Sequence, residues 1–315
     1  MRDGRGVRSV ARAWRSGGLV ESTGVRSGHN KSETNSGPRR LARHSPRAEA
    51  LLNNNEGTVT RKALVRQPSP RLADGLLTFL ERKQIIVDLA LRQWEAYVEA
   101  LRAAGWETVE VVPIDRCPDG VFVEDTVVVY GNLAVASRPA HPSRRPEVEA
   151  VEAVLGSLGF SVNRIDAPGT LEGGDILKVG STVYVGRGSR TNEEALRQLR
   201  SYVEPLGARV VAVPITKVLH LKSAVTALPD GTIVGYTPLV DDPGLFPNYM
   251  GMPEESGAHV VDLGEGRVLT AADCPKSIEI IEALGYQVVP VDVSEFQKLE
   301  GCVTCLSVRL RGSAN

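Results

Sequence analysis

A cysteine, a histidine and several carboxylates stand at matching points of this chain, at or inside predicted β-strands. The residues are Glu124–Asp125, Glu172–Asp175, His220 and Cys305, with Cys305 placed inside the closing strand, Val303–Leu310. A thiol nucleophile, an imidazole acid/base and a carboxylate that orients the imidazole are the parts of a covalent cysteine mechanism. If the strands are related by rotation about an axis, we expect these side chains to converge in one cleft.

Each of these residues also has an ordinary structural interpretation. A single cysteine in a strand is most often a small buried hydrophobic residue. Cys302 and Cys305 also form a C-x-x-C pair, which is compatible with redox or zinc chemistry. No second C-x-x-C and no closely spaced histidine pair accompanies it. We therefore favour a catalytic role for Cys305 and assign no role to Cys302.

The segments that would position these residues form a repeat. Four stretches combine β-branched residues with a central turn that contains glycine, which is the pattern of a β-hairpin. They are Asp125–Val135, Asp175–Val185, Ala224–Val234 and His259–Leu269. The repetition predicts structurally equivalent units that carry the polar residues at equivalent places.

Helices and further strands surround the hairpins. Helical spacing of apolar residues predicts helices at Ile86–Ala104, Pro146–Leu158, Thr191–Leu206 and Pro275–Leu284. Each is followed by a glycine that would end it: Gly105, Gly159, Gly207 or Gly285. Strands are predicted after these glycines at Glu107–Val112, Ser161–Ile165, Arg209–Val213 and Tyr286–Val291.

Two lone strands remain, Ala63–Arg66 near the start of the body and Val303–Leu310 at its end. Together they would complete a fifth hairpin across the two ends of the chain. Five units then result, and the unit after Val234 has only an abbreviated helix. The sequence predicts an α/β fold, a pseudo-symmetric five-bladed propeller of ββαβ-type units.

Charge and composition limit the function classes. Met1–Ala50 contains ten arginines and one lysine against four acidic residues, so the remainder carries a net charge of about −8. The acidic body argues against nucleic-acid binding and suits a cationic small molecule. We expect a disordered Arg/Ser-rich extension over residues 1–58 and one catalytic domain over residues 59–313. Four cysteines and the absence of an apolar run of membrane-spanning length predict a cytoplasmic protein without membrane attachment.

The sequence resembles the dimethylarginine dimethylaminohydrolases. The resemblance runs from Ala63 to Arg311, and its motifs occur in the family's order: Asp119–Asp125, Ser137–Arg145, Thr170–Asp175, Ser189–Asn192, Leu219–Ser223 and Leu299–Ser307. It implies the pentein fold, a five-bladed α/β propeller, in agreement with the repeat. It also implies hydrolysis of N-omega-methylated arginines, asymmetric dimethylarginine and monomethylarginine, to citrulline and dimethylamine or methylamine.

The resemblance further implies a role for each matching residue. Cys305 would be the nucleophile, His220 the general acid/base and Glu172 the carboxylate that orients His220. The implied substrate-binding residues are Asp119, Glu124 and Asp125 at the guanidinium, Arg138 and Arg190 at the α-carboxylate, Leu72 in a mobile lid, and Leu299 through its backbone. No metal and no organic cofactor are expected, and a homodimer stays open.

The implied reaction passes through a covalent S-alkylthiouronium on Cys305. Nearby carboxylates should raise the pKa of the thiol, and a bound guanidinium should reverse that effect. We therefore expect the substrate to assist the ionisation of Cys305.

Three alternatives belong to the same fold. Arginine deiminases carry an acidic residue two positions after the histidine, where this chain has Lys222. A non-catalytic propeller that acts as a binding protein would lack the cysteine and histidine that are present here. An amidinotransferase would pass the same thiouronium to an amine instead of water.

Overall fold

This computed structural model describes residues 61–311, which contain five three-stranded β-sheets. In each sheet the central strand pairs antiparallel with one neighbour and parallel with the other. This is the arrangement of a five-bladed α/β propeller, so the predicted fold class is confirmed. The extension predicted over residues 1–58 lies outside the described residues.

The strand bounds follow the predicted hairpins closely. They are β1 (Arg61–Val65), β2 (Glu107–Glu110), β3 (Val127–Tyr130), β4 (Leu133–Ala136), β5 (Ser161–Arg164), β6 (Ile176–Val179), β7 (Thr182–Arg187), β8 (Arg209–Pro214), β9 (Val225–Ala227), β10 (Ile233–Gly235), β11 (Tyr249–Gly251), β12 (Val261–Gly264), β13 (Arg267–Ala271), β14 (Gln287–Val291) and β15 (Val308–Arg311). The sheets have the orders β15-β1-β2, β3-β4-β5, β6-β7-β8, β9-β10-β11 and β12-β13-β14.

The helices are α1 (Val87–Ala103), α2 (Glu147–Ser157), α3 (Glu193–Val203), α4 (Pro275–Ala283) and the single-turn α5 (Ser294–Gln297). The glycines after the four longer helices have φ between 84° and 93°, the left-handed conformation that ends a helix. Between β10 and β11 the chain has two short 3₁₀ turns, Thr237–Leu239 and Pro243–Leu245, in place of an α-helix. The predicted abbreviated helix of this unit is confirmed.

The two ends of the described chain close the ring. Strand β1 pairs antiparallel with β15, with Lys62 opposite Leu310, and parallel with β2, with Lys62 opposite Glu107. The prediction that Cys305 lies inside the closing strand is wrong. The backbone N–H of Cys305 donates to the carbonyl of Cys302 at 3.1 Å, which makes a tight turn, and β15 begins only at Val308.

Helix α1 belongs to the same closure. Its buried Trp94, Tyr97 and Leu101 form one hydrophobic cluster with residues of β1, β12 and β13. Burying a large apolar side chain contributes roughly 1.5–3 kcal/mol, so this cluster stabilises the contact between the first and last blades. Among the described residues, the helices are too short or too polar to cross a membrane.

The strand of each blade that lies nearest the axial cavity is here called the inner strand; these are β3, β6, β9, β12 and β15. Each inner strand is preceded by a tight turn. Four of these are 3₁₀ turns, and the fifth is the turn that contains Cys305: Val123–Thr126, Gly173–Asp175, Leu221–Ser223, Ser256–Ala258 and Cys302–Cys305. Residues in or next to all five inner strands line one axial cavity of about 380 Å³. The five turns therefore meet around the same axis, which is where the repeat placed the polar residues.

Candidate active site

The inner turns surround a small pocket that contains six of the ten predicted site residues. Those six are Asp119, Asp125, Arg190, His220, Leu299 and Cys305. The free volume is about 20 Å³, room for about one water molecule, so the pocket is closed around its own side chains. The other lining residues are Leu76, Phe122, Arg144, Leu219, Glu300 and Gly301.

His220 is held by carboxylates on two sides. Its Nε2 lies 2.7 Å from Oε2 of Glu172, and its Nδ1 lies 3.8 Å from Oδ1 of Asp125. Burial lowers the pKa of His220, but the charges of Asp125, Glu172 and Asp175 outweigh burial and raise that pKa to about 9. This pKa favours the imidazolium form of His220 at neutral pH, a form that can donate a proton.

Gly173 and Gly174 allow this close packing. A Cβ on Gly173 would lie 2.0 Å from the carbonyl oxygen of Glu124, and one on Gly174 would lie 2.6 Å from Nδ1 of His220. The backbone N–H of Gly174 also donates to Oδ1 of Asp125 at 2.9 Å. The two glycines are therefore needed where neighbouring inner turns touch, and they form a 3₁₀ turn there.

Arg144 connects the carboxylates of the site. Its Nη1 donates to Asp125 at 2.9 Å and lies 3.7 Å from Glu172, and its Nε and Nη2 donate to both oxygens of Glu147 at 3.2 and 2.9 Å. Burial would raise the pKa of Asp125, but His220 and Arg144 hold it at about 2. Asp125 is therefore ionised when a cationic ligand arrives.

Arg138 does not line the pocket, contrary to the role implied for it. Its Nη1 donates to the carbonyl of Gly169 at 3.0 Å, and its backbone forms a β-bridge with Leu171. Arg144, six residues later in the same Pro-containing motif, takes its place in the pocket. Glu147, three residues after Arg144, is a sequence signal that could have indicated a buried ion pair.

Leu72 is also outside the pocket, and its side chain is fully buried in the hydrophobic cluster. The lining residue is Leu76, whose N–H donates to the carboxylate of Asp119 at 3.1 Å. The segment that follows is held by Glu300, whose carboxylate accepts the N–H groups of Thr78 at 3.1 Å, of Phe79, and of Leu80 at 2.8 Å. We expect residues 76–80 to act as a lid that opens to admit a substrate.

Glu124 faces the axial cavity and not the pocket, although its neighbour Asp125 lines the pocket. Its Oε1 lies 2.5 Å from Nζ of Lys222, while its buried Oε2 has no hydrogen-bond partner within residues 61–311. Burial raises the pKa of Glu124 despite Lys222. The axial cavity is larger than the small pocket, but Cys305 and His220 line the small pocket and not the axial cavity.

The surroundings of Cys305 favour the protonated form of its thiol. A hydrogen bond with Cys302, burial and the charges of Glu124 and Asp125 all raise the pKa of Cys305 well above its usual range. The rise agrees with the expectation from the sequence that the carboxylates disfavour the thiolate. Cys302 adds to this effect, which the sequence pattern had not indicated.

One group in the described part of the chain has the composition of a metal site. Ligand atoms of Asp125, Glu172 and His220 lie within 4.8 Å of one another. Arg144 already places a guanidinium 2.9 Å from Asp125 and 3.7 Å from Glu172. Because the Arg144 guanidinium already lies beside both carboxylates, the geometry favours a hydrogen-bonded network of side chains over a metal site.

Comparison with known proteins identifies relatives of this chain. Residues 78–228 match a family model described as N,N dimethylarginine dimethylhydrolase, eukaryotic. The N(G),N(G)-dimethylarginine dimethylaminohydrolase of Streptomyces coelicolor is 63% identical over 252 residues, which cover 80% of this chain and 98% of that protein.

Two solved structures share the fold. A cysteine-to-serine mutant of the Pseudomonas aeruginosa dimethylarginine dimethylaminohydrolase, in complex with citrulline, superposes with a TM-score of 0.74 at 36% identity and covers 80% of this chain and 100% of that chain. A histidine-to-glycine mutant of a dimethylarginine dimethylaminohydrolase, as an adduct with S-methyl-L-thiocitrulline, gives a TM-score of 0.75 at 35% identity and covers 79% of this chain and 99% of that chain.

Proposed function

This chain belongs to the dimethylarginine dimethylaminohydrolase family and has that hydrolase activity; we propose that the small pocket carries it out, with Cys305 as the nucleophile. The substrates are N-omega-methylated arginines, and the products are citrulline and dimethylamine or methylamine. The observation that supports this assignment best is the placement of His220. It is held at 2.7 Å by Glu172, is positively charged at neutral pH, and lines the same pocket as Cys305.

Substrate recognition depends on charge complementarity at the two ends of the ligand. Asp119 and Asp125 offer carboxylates to the planar guanidinium, which they can bind in fork geometry. Arg190 also lines the pocket. Its Nη1 lies 3.7 Å from Oε1 of Glu172, and its Nη2 donates to the hydroxyl of Thr78 at 3.0 Å. Arg190 is thus suited to the α-carboxylate, and Leu299 can contact the ligand beside it.

The arriving guanidinium cation lowers the pKa of Cys305, and the thiol loses its proton to water. The thiolate then attacks the guanidinium carbon, and the C–N bond to the methylated nitrogen breaks as His220 donates its proton to the departing amine. The result is an S-alkylthiouronium and a neutral His220. Neutral His220 takes a proton from water as the water attacks the same carbon. The C–S bond then breaks, citrulline is released, and the proton of the new hydroxyl group passes to the Cys305 sulfur, which restores the thiol.

Glu172 and Arg144 act behind these groups. Glu172 keeps His220 charged and oriented, and Arg144 keeps Asp125 ionised through the 2.9 Å ion pair. Their roles are to position and tune the groups that touch the substrate.

The decisive experiment is a citrulline-release assay that compares asymmetric dimethylarginine with arginine in the presence of a zinc chelator. We expect turnover of the methylated substrate, little turnover of arginine, and no turnover by Cys305→Ser. Cys117→Ser is the matched control, because Cys117 is buried but donates only to the carbonyl of Ser143 at 3.4 Å, away from the pocket. Full activity in Cys305→Ser would refute the assigned nucleophile, and faster turnover of arginine would support a deiminase.

We also propose a cytoplasmic location, which is supported by four cysteines that all carry free thiols in the structure. Fractionation of the source cells checks this, and recovery of the protein outside the cytoplasm would contradict it.

A further inference from the structure

Cys302 lies directly behind the nucleophile and has no part in the proposed reaction. Its Sγ is 3.4 Å from Sγ of Cys305, and its backbone N–H points to the same sulfur at 3.4 Å. Both side chains are buried, but Cys305 lines the pocket whereas Cys302 does not. The sulfur of Cys305 is therefore reachable from the pocket, and the sulfur of Cys302 contacts the Cys305 sulfur from the protein interior.

The backbone already has the shape that a disulfide between these residues needs. The N–H of Cys305 donates to the carbonyl of Cys302 at 3.1 Å, so the two residues are the ends of a β-turn. Such a turn brings its end Cα atoms within about 7 Å, and disulfides span Cα distances of about 4.4–6.8 Å. The bond, with a length of about 2.05 Å, requires only a small approach of the two sulfurs, which rotation of the side chains can supply.

We propose that Cys302 and Cys305 form a reversible oxidative modification site, in which Cys302 captures the oxidised nucleophile as a disulfide. The oxidant is a small hydroperoxide that enters through the pocket. The Cys305 sulfur attacks one peroxide oxygen and the O–O bond breaks. The other oxygen leaves as water or an alcohol with the proton of the Cys305 thiol, and Cys305 becomes a sulfenic acid. The Cys302 thiolate then attacks Sγ of Cys305, the S–O bond breaks, and the hydroxide that leaves takes up a proton to form water.

The positions of the two sulfurs make this capture specific. An S–O bond made from the pocket side points away from Cys302, so Cys302 can attack opposite the leaving oxygen. The other two cysteines have different surroundings, since Cys117 donates to the carbonyl of Ser143 and Cys274 to the carbonyl of Ala271 at 3.1 Å. Neither has a second thiol within hydrogen-bond distance among the described residues.

The modification would switch the enzyme off and protect it. A disulfide removes the thiol that attacks the substrate, and a thiol reductant restores it. Without Cys302, the sulfenic acid stays open to further oxidation to sulfinic and sulfonic acids, which simple thiols do not reverse. The loss of activity rests on Cys305 being the nucleophile, but formation of the bond does not.

The test exposes the full chain to hydrogen peroxide, quenches with catalase, and follows peptide mass and citrulline release before and after dithiothreitol. In the wild type we expect the peptide that contains both cysteines to lose two hydrogens, and activity to fall and then return with reductant. Peroxide should also inactivate Cys302→Ala, but in this variant Cys305 should gain oxygen atoms, and dithiothreitol should restore little of the activity. Cys117→Ser is the control and should behave like the wild type.

Absence of the Cys302–Cys305 disulfide from peroxide-treated wild type would overturn the proposal, as would equal recovery in Cys302→Ala. Peptide mapping of the wild type decides the first point even if the variant folds poorly, and Cys302→Ser provides a second variant. If the disulfide forms while full activity remains, the modification site stands and the role proposed for Cys305 fails.

Discussion

Replacing Glu172 with glutamine tests how the site keeps His220 protonated. The substitution keeps the size of the side chain but removes the charge that lies 2.7 Å from Nε2 of His220. Burial alone lowers the pKa of His220, so its value of about 9 depends on carboxylates. We expect the alkaline decline of kcat to move to lower pH in Glu172→Gln.

The size of the effect follows from the contact. A hydrogen bond to a charged group contributes roughly 1.5–3 kcal/mol, and one pKa unit corresponds to about 1.4 kcal/mol. The pKa of His220 should therefore fall by about 1–2 units from its value of about 9. Above the new pKa, kcat should drop by about tenfold per pH unit if protonated His220 is the general acid.

The same shift affects the free energy of unfolding. The folded pKa of His220, about 9, lies above its ordinary value of 6.5, so the stabilisation is complete below pH 6.5 and is lost as the pH rises through about 9. For a buried group this is on the order of 3 kcal/mol at most. In Glu172→Gln the contribution should be smaller and should disappear at lower pH, which urea unfolding at several pH values measures.

The kinetic assay measures citrulline formation at saturating substrate from about pH 6 to about pH 10. Glu147→Gln is the matched control, because Glu147 is also buried and paired with Arg144 but makes no hydrogen bond to His220. An unchanged pH profile in Glu172→Gln would refute the reasoning. An equal shift in Glu147→Gln would show that the effect comes from general damage to the network.

Three further outcomes are expected. Gly174→Ala should lower kcat by at least about tenfold, because the new Cβ would lie 2.6 Å from Nδ1 of His220. The control Gly156→Ala, whose new Cβ would meet no described atom within 4 Å, should leave the free energy of unfolding unchanged or raise it by up to about 1 kcal/mol. Equal activities of the two variants would contradict this prediction. Glu300→Gln should weaken the lid contacts in both the empty and the occupied pocket. Stopped-flow measurements of citrulline binding should then show faster association and faster dissociation, each by roughly fivefold per about 1 kcal/mol of contact energy lost, with little change in Kd. A change confined to Kd would argue against a lid. In the enzyme without ligand, iodoacetamide should alkylate Cys305 only above the ordinary thiol pKa of about 8.5. Added guanidinium ion should move the pH dependence of this alkylation to lower pH. A thiol that titrates near neutrality without ligand would exclude substrate-assisted ionisation.

Local patterns were sufficient for most of the fold. Helix α2 was predicted as Pro146–Leu158 and is observed as Glu147–Ser157, because apolar spacing and a glycine stop are properties of neighbouring residues. Gly159 has φ 85°, a conformation that its residue type favours. The end of the chain was predicted less well, because β-branched Val303 and Thr304 favour a strand while the hydrogen bond between Cys302 and Cys305 makes a turn.

The motifs located the site to within a few residues, but they did not determine which side chains face it. Leu72 lies four residues before the lining Leu76, Arg138 lies six before Arg144, and Glu124 directly precedes Asp125. In a turn, adjacent side chains point in different directions, so a motif identifies the segment while the packing of neighbouring turns determines the direction.

Residue types and their order along the chain therefore determined five repeated units, their closure through β1 and β15, and the presence of a thiol, an imidazole and carboxylates at equivalent positions. Tertiary packing decided that Glu172 binds His220 and that Arg144 joins the carboxylates. The pKa values follow from those contacts, because burial and the distance between charges exist only once separate blades meet.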